Sequence, residues 1–187
     1  MTVEPIREIN KINRMYRFLE TKDPKYGLMF KFGLNTGLRI SDILPLRTKD
    51  IFNSDGSFRD HLILNEKKTG KEKKIKINAA LKKEILMLVS KEKSPGNAFL
   101  FRNTRTQDHI QRIQAYKVLK SAASECGIEN FGTHSMRKTW GYWTYKASKY
   151  NIGLIMDTFN HSSPSVTLRY IGVNQDQKDK LYTMVQF

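Results

Sequence analysis

Little in this chain supports disulfide, metal or membrane chemistry. Cys126 is its only cysteine, so no disulfide can form within the chain, and a reducing compartment is the natural setting. The histidines and the cysteine show neither the His-x-x-x-His nor the Cys-x-x-Cys spacing of metal sites. No apolar run approaches the ~18 residues of a membrane span, and residues 1–7 lack the apolar run of a secretory signal. The sequence therefore predicts a soluble cytoplasmic protein without a metal site.

Acidic residues are few beside the basic ones. The chain has 18 Asp and Glu against 33 Lys and Arg, which gives a formal net charge of +15. Such a surplus favours a polyanionic partner; the alternative is solubility alone, which needs a net charge of only about 2 to 8.

With 187 residues, 39% of them hydrophobic, the chain suits one domain with a real core, so we predict a single domain over residues 1–187.

Hydrophobic periodicity predicts an α+β domain that is mainly helical, with one small antiparallel sheet. The predicted helices cover residues 5–20, 25–35, 42–47, 79–91, 107–126, 135–148, 152–159, 165–170 and 175–185. The predicted strands, 59–66 and 73–78, form a hairpin around Lys68-Thr69-Gly70-Lys71. Gly37 is expected to end the second helix as a C-cap, and Ser41 is expected to cap the third.

Arg39 lies among apolar residues just after the Gly37 break. An arginine in such surroundings is costly unless it is paired or held out to an anion. Its planar fork suits two phosphate oxygens. A structural ion pair with Asp42 or Asp50 explains it equally well, and the local sequence leaves both interpretations open.

His134, Arg137 and Gly141 fall on one face of a predicted helix. That face presents an imidazole, a guanidinium and a gap where a backbone could approach. A solvated helix face is the alternative explanation of the same spacing. The opposite face is predicted to be plain core and carries Met136, Trp140, Trp143 and Ala147.

Three further groups have weaker local signals. His161 lies in a predicted turn and Tyr170 follows nine residues later, near the end of the next short helix. Taken alone, a capping-loop histidine and a tyrosine packed by its ring explain both. The hairpin carries six lysines within residues 67–76, which are either solvated or in contact with phosphates. One lysine at the tip could protonate a leaving group.

Taken in chain order, these motifs resemble the catalytic domain of the tyrosine recombinases, the phage integrase family, from about residue 15 to residue 175. Tyr170 lies at the family's usual distance from the preceding histidine. The matching motifs are Gly37-Leu38-Arg39-Ile40-Ser41-Asp42 for the first arginine box, Lys68 for the hairpin lysine, His134-Ser135-Met136-Arg137 for the His-x-x-Arg box, and Asn160-His161-Ser162-Ser163 for the Gly-His-Ser box.

The resemblance implies DNA cleavage and rejoining without a metal or nucleotide cofactor. Tyr170 would attack the scissile phosphate, leaving a 3′-phosphotyrosyl link and a free 5′-hydroxyl. Arg39 and Arg137 would clamp the non-bridging oxygens and stabilise the charge of the transition state. Lys68 would protonate the departing 5′ oxygen. A 5′-hydroxyl from another strand can then reverse the link, which makes strand exchange possible.

The resemblance also implies supporting residues and partners. His134 would accept or donate a proton near the tyrosine, and His161 would hydrogen-bond the phosphate. The partners would be double-stranded DNA at a recombination site and further copies of the chain, as a tetramer on DNA, in the cytoplasm of a bacterium or of a phage-infected cell. Further DNA contacts are predicted for Lys67, Lys71, Lys73 and Arg169.

The chain departs from the family pattern in two places. Asn160 replaces the usual glycine before His161, which is expected to perturb that turn slightly without removing chemistry. Little sequence precedes the first box, so the N-terminal core-binding domain of most relatives is expected to be absent, and the chain is either a catalytic fragment of a longer integrase or a natural short form. The apolar tail, residues 181–187, would dock either on a neighbouring protomer or on its own domain.

Two other functions share this sequence pattern. A DNA-binding regulator or accessory protein could keep the fold and lose the activity. A type IB topoisomerase shares the chemistry, but the hairpin lysine Lys68 and the histidine His161 fit an integrase better. The complete set of polar residues favours the recombinase.

Overall fold

The computed structural model describes residues 3–92, 97–173, 179 and 182–184. Over these residues the chain is mainly helical with one antiparallel pair of strands, as predicted. The elements are α1 Ile9–Lys22, α2 Pro24–Thr36, α3 Ile40–Ile43, α4 Thr48–Ile51, β1 His61–Asn65, β2 Glu72–Lys76, α5 Ala79–Glu92, α6 Arg112–Glu125, α7 Ser135–Ala147, α8 Ile152–Phe159 and α9 Pro164–Tyr170.

Helix α2 begins and ends where the sequence predicts. The Asp23 carboxylate accepts a hydrogen bond from the Lys25 amide at 2.8 Å, and Pro24 occupies the first turn, where its missing N–H costs nothing. Gly37 ends the helix with φ at +64°, a left-handed conformation that glycine adopts without strain. The chain therefore reverses sharply at Gly37, directly before Arg39.

The predicted third helix, 42–47 capped by Ser41, is wrong. Helix α3 begins at Ile40 and ends at Ile43, and a separate turn of helix, α4, follows from Thr48. Pro45 lies inside the predicted span, where it would remove a backbone donor and clash with the preceding turn. The Arg47 amide instead donates to the Asp50 carboxylate at 2.8 Å and starts α4 anew.

Other predicted ends shift by a few residues. Helix α1 begins at Ile9 rather than at residue 5, and α6 begins at Arg112 rather than at residue 107. Gln107 is in the left-handed region (φ +61°), and the Ile110 amide donates to the Phe101 carbonyl, so neither can belong to a helix. The predicted helix 175–185 and the predicted break at residues 94–97 lie largely outside the described residues.

Two buried apolar clusters form the interior. The larger one surrounds α2, where Phe30 and Phe32 are fully buried. The smaller one packs α8 and the residues after α9 against the second half of α7; its buried members are Tyr142, Tyr145, Ile155, Phe159, Ile171 and Val173. Helix α7 joins the two, because Met136 near its start belongs to the larger cluster.

The core face predicted for α7 is right only in part. Met136 is fully buried, whereas Trp140 and Trp143 are half-buried against the smaller cluster and Ala147 is exposed. Trp140 instead covers the Gly37 turn, where a Cβ at Gly37 would lie 2.5 Å from its ring. Helix α7 therefore holds the turn before Arg39 in place.

The hairpin β1–β2 pairs in antiparallel register, with Leu62 opposite Ile75 and Ile63 opposite Lys74. Leu62 faces the larger core, and Ile63 faces solvent. The Lys67 amide, in the turn between the strands, donates to the Asp42 carboxylate at 2.9 Å. The hairpin tip is thereby tied to α3. Among the residues described, no helix has the length and apolarity needed to cross a membrane.

Candidate active site

The fold brings five distant segments together around one cleft. Their polar side chains are Arg39 before α3, Glu66 and Lys68 in the hairpin turn, His134 and Arg137 at the start of α7, His161 after α8, and Tyr170 at the end of α9. We distinguish an arginine cluster, which comprises Arg39, Arg137, Glu66 and Lys73, from a tyrosine cluster, which comprises Tyr170, His134, His161 and Phe159.

Arg137 is the most deeply placed cation of the site, at 2% exposure. Its Nη1 donates to the Gly37 carbonyl at 2.6 Å, and its guanidinium lies 4.3 Å from the centroid of the Phe159 ring. Its Nη2 is buried and makes no hydrogen bond to any described residue. A buried donor without an acceptor is costly, so this nitrogen is a ready contact for an incoming oxyanion.

Arg39 is also paired, although not with the residues suggested by its neighbourhood. Its Nη1 donates to Glu66 Oε1 at 2.7 Å. Asp42 instead accepts from the hairpin amide of Lys67, and Asp50 starts α4. The alternative of an ion pair with Asp42 or Asp50 is therefore wrong, and Glu66 provides the carboxylate.

Glu66 is the acidic centre of the arginine cluster, and the sequence analysis missed it. Its side chain is fully buried, and Oε1 lies 3.7 Å from both Arg137 Nη1 and Lys73 Nζ. Burial would raise the pKa of Glu66, but hydrogen bonds from Thr69 and Arg39 and the nearby Lys73 charge hold it below its usual range. The only local signal was an acidic residue directly before a run of lysines.

Tyr170 is held by aromatic rings, by His134 and by nearby cations, with Lys138 Nζ 5.1 Å from the centroid of its ring. Its hydroxyl lies 3.3 Å from His134 Nδ1, and its ring centroid lies 5.4 Å from Phe159 and 5.1 Å from His161. Burial raises the pKa of Tyr170, and the charges of Arg137 and Arg39 oppose that rise. The phenol is therefore protonated at neutral pH and needs a base to become a nucleophile.

His134 is suited to be that base. Burial lowers its pKa, and the positive charges of Arg39, Arg137, Lys68 and Arg112 lower it further. The imidazole is therefore neutral at neutral pH, so Nδ1 can accept the phenol proton. His134 lies at the N-terminus of α7 and Arg137 lies one turn later, the relation that their spacing predicts.

His161 follows a residue in the left-handed conformation, Asn160 (φ +56°), which ends α8. Asparagine tolerates this region better than most residues, so the turn forms despite the missing glycine. His161 Nδ1 lies 3.1 Å from Thr167 Oγ1. Burial, followed by the charges of Arg137 and Arg39, lowers the pKa of His161. The Thr167 hydroxyl also donates to the Ser163 carbonyl at 3.3 Å.

Lys68 is exposed at the hairpin tip and faces the mouth of the cleft. An open cavity of about 280 Å³ lies there, lined by Arg39, Ile40, Ser41, Lys67, Lys68, Arg112, Thr133 and His134. Arg112, at the start of α6, is a further cation of the cleft that the sequence analysis did not single out. Four cations around one opening suit a phosphate group better than a neutral ligand.

The four predicted DNA contacts differ in exposure. Lys67, Lys71 and Arg169 are exposed, and Lys71 Nζ donates to the Asn160 side-chain oxygen at 3.2 Å. Lys73 points inward, with its side chain 11% exposed, and donates to the Thr158 carbonyl beside Glu66. Burial lowers the pKa of Lys73. Lys73 therefore does not lie with the exposed lysines among which the sequence placed it.

The gap predicted at Gly141 exists, but protein fills it. A Cβ at this position would lie 2.7 Å from Ile171 and 2.9 Å from Phe159. Side chains rather than a backbone occupy the gap, and the small residue lets the segment after Tyr170 pack closely on α7. Among the described residues, no three His, Cys, Asp or Glu side chains are grouped as metal ligands would be.

Comparisons with known proteins agree with this arrangement. The model of the phage integrase family matches residues 7–177. A protein described as the probable integrase/recombinase YoeC of Bacillus subtilis (strain 168) is 44% identical over 180 residues, 96% of this chain and 95% of that protein.

Solved structures show the fold. The XerA recombinase superposes with a TM-score of 0.74 at 15% identity, over 100% of this chain and 68% of its own. The XerH site-specific recombinase bound to a palindromic difH substrate gives 0.73 at 16% identity, over 98% of this chain. A lambda integrase (75–356) dimer bound to a COC′ core site gives 0.69 at 15% identity, over 91% of this chain. The chain spans 54% of the XerH chain and 60% of the lambda integrase chain. These matches confirm the predicted tyrosine-recombinase catalytic-domain fold.

Proposed function

We propose that this chain, which belongs to the phage integrase family, cuts and rejoins DNA at a recombination site through a covalent bond between Tyr170 and a 3′ phosphate. One observation carries the proposal. The Tyr170 hydroxyl lies 3.3 Å from Nδ1 of His134, while the neighbouring guanidinium of Arg137 has a buried donor, Nη2, with no acceptor among the described residues. A base, a nucleophile and an oxyanion site therefore meet in one cleft.

The chemistry follows from these positions. The Tyr170 oxygen attacks phosphorus while His134 Nδ1 accepts the phenol proton, and the bond from phosphorus to the 5′ oxygen breaks. Arg39 and Arg137 stabilise the negative charge that gathers on the non-bridging oxygens. Lys68, exposed at the hairpin tip, supplies a proton to the departing 5′ oxygen. Attack by another 5′-hydroxyl on the phosphotyrosyl bond reverses each step and returns the phenol.

His161 is assigned to substrate binding in this scheme. When the Thr167 hydroxyl turns from the Ser163 carbonyl to His161 Nδ1, 3.1 Å away, the imidazole carries its proton on Nε2 and donates it to a phosphate oxygen. Its contact with the Tyr170 ring, 5.1 Å between centroids, supports a role at the same phosphate that the tyrosine attacks. Family membership supports the recombinase over a silent DNA-binding regulator of the same fold.

The proposed partner is double-stranded DNA, met in the cytoplasm of a bacterium or of a phage-infected cell. The formal charge of +15 and the exposed side chains of Lys67, Lys71 and Arg169 support contacts to the DNA backbone. Because such contacts release counterions, DNA affinity should fall steeply as salt rises, and a flat response would contradict them. A homo-oligomer on DNA, with four protomers for strand exchange, belongs to the same proposal. Tail docking between protomers remains a prediction, since most of residues 181–187 lie outside the described residues.

Covalent trapping tests the proposed reaction. A nicked duplex that carries the recombination site loses the short 5′-hydroxyl fragment after cleavage, so the protein stays bonded to the 3′ phosphate. We expect a DNA–protein adduct that resists denaturation and disappears in Tyr170→Phe. Tyr150→Phe is the matched control, because Tyr150 is exposed and lies outside the cleft. DNA binding to that site without any adduct would contradict the proposal and favour the silent regulator.

A further inference from the structure

We propose that Glu66 is a positioning residue that fixes both arginines for the phosphate, and that Asn160 couples it to the turn of His161. The inference rests on the proposed function and deepens it. It begins from the burial of Glu66: a fully buried carboxylate is costly unless several donors meet it. Here every group in contact with the carboxylate is a donor.

The donors come from four separate parts of the chain. Oε1 lies 2.7 Å from Arg39 Nη1 and 3.7 Å from Arg137 Nη1. Oε2 accepts from the Thr69 hydroxyl at 2.8 Å and from the Asn160 amide at 3.4 Å. The two arginines are 98 positions apart in the sequence, from 39 to 137, yet they share one oxygen. Glu66 is thus a shared reference point for two guanidinium groups.

Glu66 lies behind the arginines rather than in the place of the phosphate. Its side chain has no exposed surface, and its second oxygen is already engaged by Thr69 and Asn160. It engages the Nη1 atom of both arginines and leaves Arg137 Nη2 without an acceptor. A carboxylate in this position orients the guanidinium planes and keeps their other donors free for the substrate.

The charge of the arginine cluster also favours this role. The cluster holds three positive charges, on Arg39, Arg137 and Lys73, and one negative charge, on Glu66. Its net charge is therefore +2. A phosphodiester carries one negative charge, which grows towards two in a pentavalent transition state. Without Glu66, three cations would repel one another at close range, and the geometry of the arginines would loosen.

Asn160 extends the network to the turn of His161. Its amide donates to Glu66 and its carbonyl oxygen accepts from Lys71 Nζ at 3.2 Å. A glycine at this position keeps the left-handed backbone (φ +56°) but makes neither contact. Asn160 stands where the resembled motif has glycine. Its side chain therefore links the hairpin that carries Lys68 to the turn that contains His161.

The principal test replaces Glu66 by glutamine, which keeps the shape and removes the charge. Glu72→Gln is the matched control, because Glu72 is an exposed carboxylate on the same hairpin. We expect single-turnover adduct formation at saturating DNA to fall about 10- to 100-fold in Glu66→Gln, below the loss expected when an oxyanion donor itself is removed. DNA affinity should change less than threefold, and Glu72→Gln should match the wild type.

The split between rate and affinity separates three roles. If the fraction of folded protein, the DNA binding and the adduct yield all fall equally in Glu66→Gln, the carboxylate has a purely structural role. That result would overturn the proposal. Tighter DNA binding with faster cleavage would mean that Glu66 competes with the phosphate, which would also overturn it. Asn160→Gly should lower the cleavage rate by a smaller factor, about two- to fivefold. An Asn160→Gly rate equal to the wild type would remove the coupling part.

A second measurement does not depend on cleavage. Nitrogen-15 NMR of arginine side chains should show slow guanidinium rotation for Arg39 and Arg137 in the wild type, and faster rotation in Glu66→Gln. Tungstate, used as a phosphate-like probe, should shift the same resonances in the wild type. If the wild type forms no adduct but the Glu66→Gln change appears in these spectra, the proposed function fails while the role of Glu66 stands. Unchanged arginine spectra in Glu66→Gln would overturn that role.

Discussion

The two clusters of the site differ in how firmly the fold holds them. The arginine cluster is joined by short contacts, 2.6 Å from Arg137 to Gly37 and 2.7 Å from Arg39 to Glu66. The tyrosine cluster rests on the smaller core, and its polar link between Tyr170 and His134 spans 3.3 Å. The fold therefore presets the groups that bind the phosphate and holds the nucleophile with weaker contacts.

The largest effect should come from the arginine cluster. Arg137→Ala removes an oxyanion donor and should lower single-turnover cleavage about 10²- to 10³-fold. Arg137→Lys keeps the charge without the planar fork and should recover only part of that loss. Arg169→Ala, on the exposed face of α9, is the control and should weaken DNA binding without a comparable loss of rate at saturation. If Arg137→Ala cleaves DNA at a rate close to that of the wild type, the arginine cluster does not provide the main stabilisation of the transition state.

The turn at Gly37 should be the next most sensitive position. Gly37→Ala places a Cβ 2.5 Å from the Trp140 ring and forces alanine into a left-handed conformation. We expect the free energy of unfolding to fall by about 2–4 kcal/mol, with a loss of cleavage, because the Gly37 carbonyl holds Arg137. Urea denaturation measures the first effect. Gly56→Ala, at φ +82° with open space around it, isolates the backbone cost and should be the milder change.

Gly141→Ala should affect the tyrosine cluster more than the arginine cluster. A Cβ there meets Ile171 at 2.7 Å and Phe159 at 2.9 Å, so the segment after Tyr170 must move, at about 1–3 kcal/mol. Cleavage should slow while tungstate still shifts the arginine resonances. Gly153→Ala in α8 meets only Asn151, at 3.7 Å, and should be neutral or stabilising. Loss of tungstate binding in Gly141→Ala would show that the two clusters are not separable.

The smallest effect concerns pH. Folding lowers the pKa of His134 and His161, so the folded state binds fewer protons than the unfolded state below the ordinary value of about 6.5. The free energy of unfolding should therefore fall as the pH drops below that value. The cleavage rate should be level at neutral pH and fall on the acid side, where His134 becomes protonated. His61→Gln, at the start of β1 and outside the lining of the cleft, should leave the acid limb unchanged.

Local patterns predicted the parts of the site that depend on neighbours in sequence. The Asp23-Pro24 start and Gly37 end of α2 placed Arg39 correctly, and the three-residue spacing placed His134 and Arg137 on one face. The helix predicted after Ser41 is wrong because Pro45 interrupts the apolar pattern that favours it. Local sequence also gave the wrong partner for Arg39, since its carboxylate lies 27 positions away.

The amino-acid sequence by itself determined the helical class, the hairpin, the excess of positive charge and the order of the reactive residues, because these depend on composition and on contacts within a few residues. Only the tertiary structure decided that Glu66 joins Arg39 to Arg137, that Lys73 turns inward and that Ile171 and Phe159 fill the gap at Gly141. Burial of charge and close packing depend on which distant segments meet, and one-dimensional spacing does not contain that information.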